Sequence, residues 1–384
     1  MKFDFATPTR IVFGAGSLNQ IGPGIKELGQ RALVVIGRDK RRAEKLLTGL
    51  AFSGINAKIF SVAGEPDIAT VERGVAVAKE ARCDVVIGFG GGSVIDAAKA
   101  IAAMLANEGE LLDYLEIIGK GKALTKSSLP FVAIPTTAGT GSEVTRNAVL
   151  ASPEHAVKVS LRSPLMLARI AVVDPELAYD LPPALTASTG LDALTQLIEP
   201  FTCIRANPMI DTLCMDGLTR AARALRAAVA NGQDNSARAD MALASLYGGL
   251  ALANAGLGAV HGFAGPIGGS FPAPHGAVCA ALLPYAMAAN IQALREREPQ
   301  NGIRQRYEIM AAIFTGQPTA TAEDGVAWVR QLTADLAIPK LRDYGIREEH
   351  FPGLVAKAAN ASSMKANPIQ LTPAELTNIL AQAT

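Results

Sequence analysis

Short, largely apolar runs separated by longer segments with helical spacing dominate the first half of the chain. IVFGAG at Ile11 to Gly16 reads as a strand followed by a turn. RALVVIG (Arg31 to Gly37), INAKIFSVAG, CDVVIGF and FVAI read as further strands. Runs that are apolar at every position suit a parallel sheet covered on both faces. Between them SLNQIGPGIKELG, RDKRRAEKLLTGLAFSG and VERGVAVAKEARC repeat apolar residues at helical intervals. Strands alternating with helices of this length predict βαβ units. Beyond the breaker Asp180-Leu181-Pro182-Pro183 the pattern changes, and LTQLIEPF, MIDTLCMDGLTRAARALRAAVA, ARADMALASLYGGLALANAG and GVAWVRQLTADLA all read as helix. A boundary is therefore expected near Leu181, with an α/β domain over residues 1–181 and an all-α domain over 182–384.

Composition supports that division. A chain of 384 residues exceeds the usual size of one core. With 49% hydrophobic and 18% charged residues it reads as compact and well buried. The balance of 36 basic against 35 acidic residues leaves no field to gather nucleic acid or an acidic membrane, so a small neutral or mildly anionic substrate fits better. No apolar run approaches the roughly 20 residues of a spanning helix. MKFDFATPTRIVFG lacks the apolar core of a signal peptide, which makes the cytoplasm the expected location. Cys83, Cys203, Cys214 and Cys279 show no metal-finger or redox spacing and stand in apolar surroundings, as buried thiols of a reducing compartment do.

The candidate chemistry lies in three stretches. In GLDALTQLIEPF, Asp192 and Gln196 are four apart and would share one helix face. Two of the four histidines, His261 and His275, open and close HGFAGPIGGSFPAPH, whose glycines and prolines would end one helix, turn the chain and begin another. Four cation-binding side chains can so converge. Each also has an ordinary reading: Asp192 as a first-turn acid after Ser188, Thr189 and Gly190, Gln196 as a plain helix residue, each histidine as a turn or core residue. The second stretch is GFGGGSVIDAAKAIAAM, where Gly90, Gly91 and Gly92 admit close backbone approach and positive φ, and Ser93 with Asp96 resembles a capping box. A glycine turn from strand to helix presents N–H groups to a diphosphate. It is not the GxGxxG fingerprint. The third, PTTAGTGSEVT, offers hydroxyls at Thr136, Thr137, Thr140 and Ser142 that suit a ribose or amide edge, or simply a solvated turn.

GGGSVIDAAK, PTTAGTGSEVT, VVDPEL, GLDAL and the HG…PHG pair stand in the order and spacing of the iron-containing, or group III, alcohol dehydrogenases, which the chain resembles over nearly its whole length. The resemblance implies an N-terminal dinucleotide-binding α/β domain with a parallel sheet, a helical C-terminal metal- and substrate-binding domain, a cleft between them for NAD(P) and a divalent metal, and commonly a homodimer. Gly91, Gly92 and Ser93 match diphosphate contacts. Thr136, Thr137, Thr140 and Ser142 match contacts near the nicotinamide, and Lys158 matches a lysine that reaches the coenzyme. Asp192, His261 and His275 match three metal ligands and the catalytic centre.

Two departures stand out. The fourth ligand of the iron enzymes is a histidine, and here that position is Gln196, a poorer ligand for iron or zinc. Three ligands still make a catalytic site, as in the related glycerol dehydrogenases. Another family histidine, beside the nicotinamide, is replaced by Gly265, which should leave the pocket roomier. Where NAD-preferring relatives carry an aspartate for the ribose, this chain has Gly37 followed by Arg38, Lys40, Arg41 and Arg42, a leaning toward NADP, unless Asp39 takes the aspartate's role. The expected reaction is hydride transfer between nicotinamide and a small alcohol–aldehyde or ketone pair. The alternatives are a metal-independent reductase of the maleylacetate reductase type, a lyase of the dehydroquinate synthase type, and a nucleotide-binding protein with a decayed centre.

Overall fold

A computed structural model of the chain describes residues 2–155 and 157–384. Strands β1 (Arg10–Phe13), β2 (Arg31–Ile36), β3 (Asn56–Ser61), β4 (Val85–Gly90) and β5 (Phe131–Pro135) are followed by β6 (Asn147–Ser152), β7 (Val157–Arg162) and β8 (Ile170–Val173). Six of them form the expected parallel sheet in the order β1-β8-β5-β4-β2-β3. Every residue of β4 and β5 is buried, which explains why these strands are apolar throughout and not alternating. Strands β6 and β7 form a separate antiparallel hairpin that the sequence reading misses. Its signal is there: NAVLAS alternates buried and half-buried positions, and Ala148, Leu150, Val159 and Leu161 join the core beneath the helix that follows β4.

Helices α1 (Gly22–Lys26), α2 (Glu44–Phe52), α3 (Ile68–Glu80), α4 (Gly92–Ala106) and α5 (Leu111–Tyr114) accompany the strands. Beyond them come α6 (Pro183–Thr202), α7 (Pro208–Ala230), α8 (Asn235–Asn254), α9 (Ala259–Ser270), α10 (His275–Arg297), α11 (Ile303–Thr315), α12 (Ala322–Asp335), α13 (Phe351–Asn360) and α14 (Pro373–Ala383). The chain divides into two compact units: Phe5–Thr137 with Gly141–Tyr179, and Asp180–Thr384 with residues 2–4 and Ala138–Thr140. The first is the α/β unit and the second is helical. One helix corrects the expectation about apolar runs: α10 is long and apolar enough to cross a membrane, although 78% of the relevant window is buried in the protein.

In the sheet, β2 lies between β3 and β4, so the chain switches direction of progress between β2 and β4. Open α/β sheets take ligands outside the carboxyl ends of the strands at such a switch. Here β2 ends beside Gly37 and β4 beside Gly91, with Ile36 registered against Phe89.

Two details of the glycine turn differ from expectation. Gly90, Gly91 and Gly92 do not use positive φ, and Gly91 is extended at φ −74°. At Gly90 the need for hydrogen is steric, since a β-carbon there would lie 2.7 Å from the Val94 side chain. Nor is there a capping box. Helix α4 begins at Gly92 without any side-chain cap, which leaves its first amides to another partner. Asp96 instead accepts from the Ser142 hydroxyl and from the Val149 N–H at 3.0 Å. One turn on, the buried Lys99 ammonium donates to the carbonyls of Ser142 and Asn147 and to the Thr145 hydroxyl. This buried pair fastens the segment after Gly141 to α4.

Glu143 is buried in the same segment, 2% exposed. Burial pushes its carboxyl up to about 7, outweighing a backbone hydrogen bond and the Lys99 charge. The folded chain therefore holds this proton more tightly than an unfolded one, and the stability it confers falls as pH rises from about 4.5 to about 7. Glu143→Gln abolishes that loss. The stability of the variant relative to wild type should increase between about pH 5 and about pH 8 in urea unfolding; an unchanging difference would refute this account.

Candidate active site

Asp192 and Gln196 lie in the middle of α6, which starts at Pro183, where a missing N–H is harmless. That start excludes Asp192 as a first-turn acid. Every residue from Gly190 to Thr202 is buried. The helix is seated by glycine contacts: a β-carbon on Gly190 would meet Leu225 at 2.3 Å, one on Gly217 would meet Leu197 at 2.6 Å, and one on Gly248 would meet Gln196 at 3.2 Å.

His261 is the third residue of α9 and His275 the first of α10. The expectation that the glycines end the first helix is corrected, since α9 runs through them, and Pro266, to Ser270 before the turn. Both imidazoles thus stand in first turns. The head of α9 is capped from afar: Asn367 Oδ1 accepts from the Ala259 N–H at 3.0 Å, and Glu199 Oε1 accepts from the Val260 N–H at 2.7 Å. The second Glu199 oxygen meets His261 Nδ1 at 2.6 Å. One carboxylate therefore sets both the backbone and the ring, and directs Nε2 away from itself. Asn367 exchanges two further hydrogen bonds with Asn290. The enclosed space among Glu199, Thr202, Asn290, Tyr307 and Asn367 measures only about 10 Å³, which is room for one water and not for a substrate.

His261 Nε2 lies 3.4 Å and His275 Nε2 3.7 Å from Asp192 Oδ1. Cys279, one turn after His275, brings its sulfur to 3.9 and 3.7 Å from the same two nitrogens. The donor atoms of these four residues all lie within 4.8 Å of one another. This corrects the reading of Cys279 as a thiol in apolar surroundings. Gln196 is nearby in sequence but differently engaged, its amide donating to the Gly139 carbonyl at 3.1 Å. Asp192 Oδ1 and Gln196 Oε1 are buried without a hydrogen-bond partner.

The electrostatics favour positive charge at this point. Burial pushes the Asp192 carboxyl up, but His275, His261 and Cys279 hold it below its ordinary range. Burial likewise opposes charge on His261, yet Cys279, Glu199 and Asp192 carry it well above the usual imidazole range. Cys279 raises His275 to about 9 against burial, with help from Asp192. A carboxylate oxygen lacking a donor, two converging imidazole nitrogens and a favourable field fit a divalent cation.

In the α/β unit the space beside Gly37 is open, since a β-carbon there would meet nothing within 4 Å. Arg38 donates to the Ala63 carbonyl at 2.8 Å. The Asp39 carboxylate is taken up by Arg41, which holds it below the usual carboxylate range. A β-carbon on Gly91 would lie 3.5 Å from the Thr137 side chain, and the Thr136 N–H donates to the Gly90 carbonyl. Ser93 is in the first turn of α4. Ser142 donates to Asp96, Lys158 pairs with Glu65 at 3.2 Å, and Thr140 belongs to the helical unit.

Comparison with known proteins agrees with this layout. Residues 8–175 match the model of the iron-containing alcohol dehydrogenases, and residues 186–384 match that of the C-terminal part of the same family. The chain is 37% identical to 1,3-propanediol dehydrogenase of Klebsiella pneumoniae, covering 99% of this chain and 98% of that one. It is 36% identical to long-chain-alcohol dehydrogenase 1 of Geobacillus thermodenitrificans (strain NG80-2), over 96% and 94%. The crystal structure of a 1,3-propanediol oxidoreductase superposes with a TM-score of 0.93 at 35% identity, covering all of both chains. Fold and relatives define a metal-assisted oxidoreductase acting on CH–OH groups. The chain belongs to the iron-containing alcohol dehydrogenase family, whose members imply NAD(P) and an iron-type metal.

Sequence reasoning missed Glu199 and Cys279. Each lies on the face of a residue already singled out, Glu199 seven after Asp192 and Cys279 four after His275, so helical spacing could have found both. Glu199→Ala leaves the Val260 N–H and the His261 ring without their acceptor. It should lower the unfolding free energy by about 3 kcal/mol in urea titration; a change under about 0.5 kcal/mol would show that the cap contributes little.

Proposed function

We propose that Asp192, His261 and His275 hold the divalent cation of this alcohol dehydrogenase, and that the coenzyme lies outside the carboxyl ends of β2 and β4 with its diphosphate against Gly91, Gly92 and Ser93. The observation that carries the first part is the convergence of two imidazole Nε2 atoms on a buried, partnerless carboxylate oxygen. The second part is supported by the uncapped head of α4 at the switch of the sheet. When bound, the coenzyme and the cation supply a hydride donor or acceptor and electrophilic polarisation of the substrate oxygen, the latter worth several kcal/mol.

The chain's own residues position these groups. Glu199 accepts the proton on His261 Nδ1, which reserves the Nε2 lone pair for the cation. The Asp192 carboxylate offsets the positive charge brought into a buried place. At Gly265, a β-carbon would meet nothing within 4 Å, so the side-chain proton relay of many relatives is replaced by open space that admits water. The substrate hydroxyl proton then passes to solvent.

The substrate class is a small alcohol and its aldehyde or ketone, in keeping with relatives named for 1,3-propanediol and for long-chain alcohols. Acceptance of NADP is supported by Gly37, by the neighbouring basic residues and by the engagement of Asp39 with Arg41. The cytoplasm and a homodimer remain part of the same proposal.

Two measurements test it. Asp192→Asn should lower kcat/KM at least about 1000-fold, and Gln196→Ala far less, because only the first removes a charged ligand. Wild-type turnover in Asp192→Asn would exclude the assignment. Gly37→Asp, for which there is room, should raise the KM for NADPH relative to that for NADH about tenfold by repelling the 2′-phosphate. An unchanged ratio would place the ribose elsewhere.

A further inference from the structure

The position of the family's third imidazole ligand is Gln196, but the structure brings a different donor to the cluster. We propose that Cys279 joins the metal centre as a thiolate, so that the ligand set of this chain is one carboxylate, two imidazoles and one sulfur, with the substrate oxygen entering as a fifth ligand. This rests on the reading that Asp192, His261 and His275 bind a cation.

The distances carry the inference. Metal–ligand bonds of about 2.0 Å to nitrogen or oxygen and about 2.3 Å to sulfur, at tetrahedral angles, separate N from O by about 3.3 Å and N from S by about 3.5 Å. The corresponding separations are 3.4 and 3.7 Å for Asp192 with the two histidines, and 3.9 and 3.7 Å for Cys279 with the same nitrogens. Four edges thus lie within about 0.4 Å of those of a tetrahedron. Cys279 is fully buried, and its place one helical turn from His275 puts both side chains on one face of α10.

Charge and chemistry favour the same donor. Within the ligand set itself, a dication with Asp192 alone retains one positive charge, whereas Asp192 with a thiolate neutralises it; the buried Glu199 carboxylate stands outside that set, behind the His261 ring. Gln196 offers only a neutral oxygen, buried without a partner while its amide N–H donates to the Gly139 carbonyl, and a neutral oxygen offsets none of the charge. When the metal–sulfur bond forms, the thiol proton leaves to solvent and no electron is transferred. A sulfur ligand also shifts preference from the harder iron(II) toward zinc.

Substitution with Co²⁺, without coenzyme, provides the test. Wild-type protein should show a sulfur-to-cobalt charge-transfer band in the near ultraviolet. The band should vanish in Cys279→Ser and Cys279→Ala, and persist in Gln196→Ala. Zn²⁺ affinity, measured by chelator competition, should fall more than about 100-fold in Cys279→Ser, beyond the loss expected for a residue that merely supports a ligand. In Gln196→Ala it should fall less than about tenfold. Should the Cys279 variants fail to fold, a variant with Cys83, Cys203 and Cys214 all changed to Ser decides, because a retained band then comes from Cys279 alone and a lost band overturns the assignment. Cobalt bound by wild type without the band overturns the proposal and leaves the three-ligand reading intact. No binding of Co²⁺ or Zn²⁺ at all overturns both.

Discussion

The hydrogen bonds of one buried carboxylate, Glu199, hold the centre of the helical unit in place. Its two oxygens accept from the Val260 N–H and meet His261 Nδ1, so the head of α9 and the orientation of the ring are fixed by the same group. Asn367 satisfies the neighbouring Ala259 N–H and is itself held by Asn290 on α10. Three helices and a distant loop therefore meet around a few polar atoms. Buried as they are, each of those atoms is costly without its partner.

The physical logic of the α/β unit is different. There the sheet is specified by burial on both faces, and the polar residues work at the strand ends. Lys99 and Asp96 show how far the scaffold extends: they fasten the segment after Gly141 to α4 and so stand behind the glycine turn without being part of it.

What was legible in the chain follows from which signals are local. Apolar runs announced the parallel strands because no position in β4 or β5 faces water. The pairing of Asp192 with Gln196 on one face and the likeness to the family came from short-range spacing. The hairpin β6–β7 was missed because its alternation is brief and embedded in a polar stretch. The supposed capping box failed because Asp96 finds Ser142 and Val149, partners about fifty residues away that no local rule reveals. Asn367 was unreadable for the same reason, its main acceptor role lying 108 residues back along the chain. Glu199 and Cys279 were legible in principle, since helical spacing ties them to Asp192 and His275.

The glycines that seat α6 have a kinetic consequence. With Leu225 and Leu197 within 2.6 Å of where β-carbons on Gly190 and Gly217 would stand, and Gln196 3.2 Å from one on Gly248, this helix is closely packed at three points. The Asp192 carboxylate mounted on it is held in place before any ion arrives, and the Glu199 carboxylate on the same helix holds His261. Loading should then be governed by how fast a hydrated ion sheds its water and reaches the donors, with little contribution from rearrangement of the polypeptide.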